Sequence, residues 1–443
     1  MGSLLEHYKL NRDVLCKWLF LVFCCIAFGS IILRATNTSI TYDEAYTYCE
    51  YVETLLNAHS VSIMNPALNN HWLNTILIAF VTAVFGVRYS IILIRLPILV
   101  FAGVYYYLIY RLYVNKNIGL LQASLLASNY YLAEFLGLAR GYGMATFFVL
   151  CAVLFYIQWR DSDYLKQSKI MLVLLMLLLA SASNSICLLI CVAFGMVAFF
   201  RIKKNEIIVI LKRYWWFLLV SGISFLLILK WHFLSTGEGK SIYSNTTSQF
   251  PSIMQYVKDY VGMYTDYQGV ILTLSVVTVL LVIVGVISRC FIFKDFLKST
   301  NDISLIAIVL LVVMILINSV FKKGSCEGRA LLPMFPVFVY ALFEMSKGFM
   351  QKIAEKYSIV YEFLGLVASI FLMISFVNNI SIVKTSDWYP NYDQSIYTNG
   401  YYYIRDEYDF EVKENMVDYF YDMKSHWDME NIDNIPLWRK GCT

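Results

Sequence analysis

The chain has 443 residues, of which 59% are hydrophobic and 15% charged, with a formal net charge of +4. A soluble globular protein carries roughly 45–50% apolar and about 25% charged residues. The composition excludes that class and points to a helical protein crossing a membrane several times. The small positive charge belongs to membrane topology and gives no ground for nucleic-acid binding.

His7, Lys9, Arg12 and Lys17 precede or open the first apolar run, 15–33, which puts the N-terminus in the cytoplasm by the positive-inside rule. Polar loop rather than a small-residue cleavage site follows, so the run is expected to remain as a helix and not to be a signal peptide. TYDEAYTY (41–48) then opens the first outer loop, and its Asp43 and Glu44 have no packing role to explain them. The next run, WLNTILIAFVTAVFG (72–86), decides the topology. If it spans, every later basic loop lands outside. If it lies in the outer interface, those loops fall inside, and that choice is adopted. Spans are then expected at 90–110, 118–137, 143–159, 170–183, 185–200, 214–232, 269–287, about 303–320, 330–346 and 359–377.

The expected fold is therefore all-α: a polytopic membrane protein of about eleven transmembrane helices with one juxtamembrane helix in the first outer loop. Residues 1–377 form the membrane domain. Residues 378–443 form a small outer tail with twelve acidic against six basic residues. Within it, TNGYYYIRDEYDFEV alternates aromatic and charged residues in a way that predicts a small hairpin. The ten cysteines show no CxxC and no metal spacing. Cys49, Cys326 and Cys442 face outward, which leaves a Cys49–Cys326 bridge to be decided by geometry.

On this topology the unusual residues gather on one side. They are Asp43 and Glu44, Asn69, Asn70 and His71, Arg95 in IRLP, Glu134 and Arg140 in AEFLGLARGYGM, and Lys322, Lys323, Glu327 and Arg329. Ionisable groups at membrane depth are costly and usually line a cavity or pair with each other. A carboxylate can take a proton from an acceptor hydroxyl. Arg and Lys can hold a phosphate and stabilise a leaving group. Together they point to transfer of a group from a lipid phosphate. Plainer roles stand beside these. Asp43 fits a helix cap, Arg95 a headgroup anchor, and His71 an interfacial filler. Neither GxxxxGK[ST] nor GxGxxG occurs, so no nucleotide cofactor is expected. The acidic string Asp161–Ser162–Asp163 falls in a basic inner loop and reads as solvated.

These motifs, in this order, resemble a known family. An Asp–Glu pair follows the first helix. Asn70–His71 precedes an apolar juxtamembrane helix, RLP opens the next span, ARGY closes the one after, and GRALLPMFP (328–336) comes late. The set is similar to the GT-C glycosyltransferases of the protein mannosyltransferase and aminoarabinose transferase type, over most of 15–346. The resemblance implies an inverting hexosyltransferase using a polyprenyl-phosphate sugar on the outer face of the membrane. It implies Asp43 as general base with Glu44 as its partner. Asn70, His71, Arg95, Glu134, Arg140, Lys322, Lys323 and Arg329 are the substrate-binding candidates, Arg140 and Arg329 near the donor phosphate. A divalent cation is the one cofactor it allows. Two departures stand out: Trp72–Leu73 replaces the proline that often follows NH, and SASNS puts Asn184 where the family carries a histidine.

The chain also looks like phage-type serotype-converting glucosyltransferases. That reading implies undecaprenyl-phosphate glucose as donor and an O-antigen or lipopolysaccharide glycan as acceptor, in a bacterial inner membrane with the C-terminus periplasmic. A flippase and a polyprenyl-phosphate glucose synthase would share the pathway. Lipid A or protein glycosylation from the same donor type, a lipid-linked glycan transporter or flippase, and a polysaccharide polymerase or ligase are the alternatives.

Overall fold

A computed structural model describes residues 2–38, 44, 47–57, 71–87, 90–237, 253–264, 269–276, 278–279, 302–321, 328–380, 402–405 and 410–413. Apart from one hairpin, these residues are helical. In lipid every backbone N–H and C=O must be satisfied within the chain, which helices do segment by segment. The helices are α1 (Gly2–Asn37), α2 (Trp72–Phe85), α3 (Ile91–Val114), α4 (Leu120–Ala127), α5 (Tyr130–Leu136), α6 (Gly141–Arg160) and α7 (Gln167–Ser183). There follow α8 (Cys187–Arg201), α9 (Lys204–Gly237), α10 (Ile253–Gly262), α11 (Asp302–Phe321), a 3-10 segment (Gly328–Met334), α12 (Phe335–Lys356) and α13 (Ser358–Asn379). A π-helical turn (Thr47–Val52) runs into a short α turn (Glu53–Leu56). The chain is a membrane-embedded helical protein. Among the described residues six helical stretches are long and apolar enough to cross a bilayer: Asp13–Asn37, Ile91–Val114, Gly141–Arg160, Asn205–Lys230, Ala330–Lys347 and Glu362–Asn379.

The bundle is built around α6. It packs against α2, α3, α5, α7, α12 and the 3-10 segment. Its first half, Gly141–Leu150, is buried on every side, and Ala152, Val153, Tyr156 and Trp159 continue the buried face. By contrast, α9 presents Trp216, Val220 and Leu226 outward. Such an apolar outer face is costly in water and natural in lipid.

With 20 residues, α6 is about 30 Å long, the thickness of a bilayer's hydrocarbon core. It therefore separates two polar ends of the molecule. One holds Arg140 with the last turn of α1, the starts of α2 and α3 and the end of α7. The other holds Arg160 with the end of α8 and the start of α11. At this second end Asp302 accepts hydrogen bonds from Tyr164 (2.8 Å), Tyr156 (3.2 Å) and Arg201 (2.8 Å). Arg160 pairs there with Glu344.

The helix α2 does not run from one end to the other. It starts beside Ser183 and is joined by a short link to α3, whose Arg95 lies at that same end. Gly86 ends it in a left-handed conformation, φ +67°, that a side chain would strain. Its exposed face carries Ile76, Phe80 and Val84, and its buried face carries Asn74, Thr75 and Thr82. That is the reverse of a water-facing helix and matches a lipid-facing one.

Two expected spans differ from the structure, 118–137 and 214–232. Segment 118–137 is two short helices, α4 and α5, broken at Ser128–Asn129. The Asn129 side chain caps α5 by accepting from the Leu132 N–H at 2.8 Å. Hydroxyls of Tyr264, Tyr105 and Tyr106 donate to the carbonyls of Leu125, Leu126 and Ala127, so the broken end keeps its hydrogen bonds. Expected spans 170–183 and 185–200 are present as α7 and α8, apolar but shorter than the six. The helix expected at 214–232 begins ten residues earlier, with a non-helical Tyr214 at the expected start. Of 269–287, residues 269–276 and 278–279 are described and are helical. In the tail, Tyr402–Arg405 and Phe410–Lys413 pair antiparallel, Tyr402 opposite Lys413 and Arg405 opposite Phe410.

Candidate active site at the Arg140 end of the bundle

The end of α1 fixes the first piece of the site. A helix C-terminus leaves carbonyls without intrahelical partners. Arg95, from the second turn of α3, supplies them. Its Nη1 donates to the Ala35 carbonyl at 2.9 Å and to the Thr38 carbonyl at 2.8 Å. The cation also suits the negative end of the helix dipole. The other edge of the guanidinium grips Glu44: Nε to Oε1 at 2.8 Å and Nη2 to Oε2 at 2.7 Å. Both side chains are fully buried. Glu44 Oε1 also accepts from the Ala139 N–H at 2.6 Å. Three separate segments are thus tied to one carboxylate.

Glu44, expected as the partner of the general base, and Arg95, expected to bind substrate, are joined here in a bidentate pair that clamps the first loop to α3. Glu134 and Arg140 do not pair with each other. Glu134 instead meets Arg34 of α1 at 3.3 Å, with 0% and 5% of the two side chains exposed.

His71 and Arg140 belong to a second group. His71, buried at the start of α2, places Nδ1 2.9 Å from the Ser183 carbonyl. A carbonyl only accepts, so Nδ1 carries a proton and, in the neutral ring, Nε2 carries the lone pair. The ring also stands edge-on to Tyr142, centroids 5.2 Å apart. Gly141 makes this contact possible: a Cβ there would lie 1.8 Å from the Ser183 carbonyl oxygen and 2.8 Å from the imidazole. Arg140 caps the start of α6 with an extended backbone and is fully buried. Its guanidinium carbon lies 5.9 Å from the Tyr142 ring centroid, within reach of a cation–π contact. One turn into α2, Asn74 donates to the Ala139 carbonyl at 2.7 Å.

The structure brings Glu44, His71, Arg95, Glu134 and Arg140 to one end. Asp43, Asn70, Lys322 and Lys323 lie outside the described residues, as do Asn69 and Glu327. Arg329 sits in the 3-10 segment leading into α12, and its side chain lies outside them too. The Cys49–Cys326 bridge also falls outside. Sequence reasoning passed over Arg34, Asn74 and Gly141. Arg34 had a signal, a charge in the last turn of an apolar helix. Asn74 and Gly141 had none that stood above ordinary polar and small residues. At the opposite end, Asp161 and Asp163 are 62% and 75% exposed, in surface pairs with Arg160 and Lys203. They match the solvated loop expected of them. Beside them, burial and then the Asp302 hydrogen bond push the Tyr164 hydroxyl above the usual phenol range, so it stays a donor.

Glu44 is paired with Arg95, and Asn184 Oδ1 accepts from the Ile186 N–H. Among the described residues no three His, Cys, Asp or Glu side chains converge. No protein family matches the chain, no curated protein matches it, and no solved structure matches it.

Proposed function

We propose that the protein is an inverting glycosyltransferase that moves one sugar, glucose in the preferred reading, from a polyprenyl phosphate to a cell-envelope glycan. The reaction takes place at the Arg140 end, which the proposal assigns to the periplasmic face of a bacterial inner membrane. Asp43 takes the proton of the acceptor hydroxyl. That oxygen attacks the anomeric carbon, the bond from that carbon to the phosphate oxygen breaks, and the polyprenyl phosphate leaves as an anion. Arg140 offers the cation toward which such an anion would be drawn. No step is routed through a metal.

The observation that carries this reading is the gathering of Arg34, Glu44, His71, Arg95, Glu134 and Arg140 at a single end of a bundle whose flanks are apolar. Burying that many ionisable groups is expensive, and a membrane protein keeps them where they act. The clamp fixes Glu44, the sequence neighbour of Asp43, at this same end.

Purified protein supplied with undecaprenyl-phosphate glucose and lipopolysaccharide should release undecaprenyl phosphate. Asp43→Asn should cut that rate by about 10²–10⁴-fold, the usual worth of a general base, with unchanged thermal stability. Retained turnover in that variant refutes the assignment.

One observation favours a second reading. The α4–α5 break lies partway along the bundle and leaves the hydroxyls of Ser124 and Ser128 buried without a partner. Broken helices with polar linings are a transporter trait. Movement of the lipid-linked sugar across liposomes with no transfer to acceptor would decide for that reading.

A further inference from the structure

We infer that Asn74 and Asn184 form a hydroxyl-reading pair that holds the sugar head of the donor lipid; this rests on the transferase reading above. Asn74 is fully buried and Asn184 is 7% exposed. Each amide has one atom satisfied by backbone. Asn74 Nδ2 donates to the Ala139 carbonyl at 2.7 Å, and Asn184 Oδ1 accepts from the Ile186 N–H at 3.1 Å. The other atom of each, Asn74 Oδ1 and Asn184 Nδ2, has no hydrogen-bond partner.

Flipping the amides does not remove the problem. The Ala139 carbonyl can only accept, so the nitrogen of Asn74 must face it. The Ile186 N–H can only donate, so the oxygen of Asn184 must face it. The bare atoms are therefore an acceptor on Asn74 and a donor on Asn184. Buried polar atoms in folded proteins are nearly always paired, and an unpaired one calls for an explanation.

The two residues come from different helices that meet at one contact. Asn74 follows His71 by three residues, on the same side of α2. Asn184 follows Ser183, whose carbonyl accepts from His71 Nδ1. Gly141, next to Arg140, lies against both halves of that contact. An O–H group is both donor and acceptor, so one hydroxyl placed between the two amides would answer both bare atoms at once. It donates to Asn74 Oδ1 and accepts from Asn184 Nδ2. A hexose carries several hydroxyls, and the buried guanidinium of Arg140 stands beside the same contact with a charge suited to the phosphate of the same ligand.

The test uses the full chain in lipid nanodiscs and a series of undecaprenyl-phosphate glucose donors, each lacking one hydroxyl. Donor affinity and KM are measured separately from kcat. For wild type, one deoxy donor should bind about tenfold or more weakly than the native donor, and the others near normally; sites built to hydrogen-bond a hydroxyl reject its absence. Asn184→Asp keeps the oxygen that serves Ile186 and removes the donor. It should lose about the same factor on the native donor and lose nothing further on that deoxy donor. Asn74→Leu should behave alike. Thermal unfolding shows whether each variant is folded, and the deoxy series on wild type decides the matter even if neither is.

If wild type transfers glucose but treats every deoxy donor as the native one, the amides hold a buried water only. The pair is then overturned while the transferase reading stands. If variants lose equally on all donors, their role is structural and the pair is again overturned. If wild type neither binds nor turns over any of these lipids, both readings fall.

Discussion

Glu44 and Arg95 show how a buried charge is kept. Removing either ion from water is costly, and their attraction offsets that cost only where further hydrogen bonds satisfy the remaining donors and acceptors. Arg95 satisfies two α1 carbonyls as well as Glu44, and Glu44 also takes the Ala139 N–H. Glu44→Gln leaves a buried guanidinium uncompensated and should cost about 3–5 kcal/mol, read as a fall in thermal stability in detergent. A stable Glu44→Gln protein with no turnover would move Glu44 back among the reacting groups. Gly141→Ala places a methyl against the Ser183 carbonyl and the His71 ring. Overpacking of this kind costs about 1–3 kcal/mol, and α6 must shift from α7 to relieve it. The expected result is lower stability together with loss of activity, and normal values of both would contradict the close approach.

At the scale of elements, the break between α4 and α5 is held by a cap and by tyrosines from other helices. Asn129→Ala removes the acceptor for the Leu132 N–H and should cost about 1 kcal/mol. Chemical unfolding of the variant beside wild type measures it. An unchanged midpoint would mean that the Tyr105, Tyr106 and Tyr264 contacts hold the break alone. The sequence of 118–137 reads as one apolar span because the break depends on hydroxyls contributed from far along the chain. In α9 the break at Tyr214 falls where the basic stretch gives way to the apolar one. That change was visible in the sequence, although the helix on its basic side was not.

The whole molecule has two polar ends separated by the length of α6. Gly86 at the end of α2 and Asp163 after α6 are both exposed and belong to opposite ends. Single cysteines at these positions, in a chain without the native cysteines, should react with a membrane-impermeant maleimide from opposite sides of sealed vesicles. Labelling of both from one side would overturn the arrangement of α2, and with it the placing of His71 beside Ser183.

That the chain is a helical membrane protein, and that Glu44, His71, Arg95, Glu134 and Arg140 share one end of it, could be read from the sequence alone. Hydropathy and charge act over neighbouring residues, and the alternation of helix ends then follows from connectivity. What each buried charge does was decided only by tertiary contact. Arg95 reaches Glu44 across 51 residues, His71 reaches Ser183 across 112, and Tyr156 reaches Asp302 across 146. No local pattern encodes such partners, because a side chain's role at membrane depth is set by whichever helix packs against it.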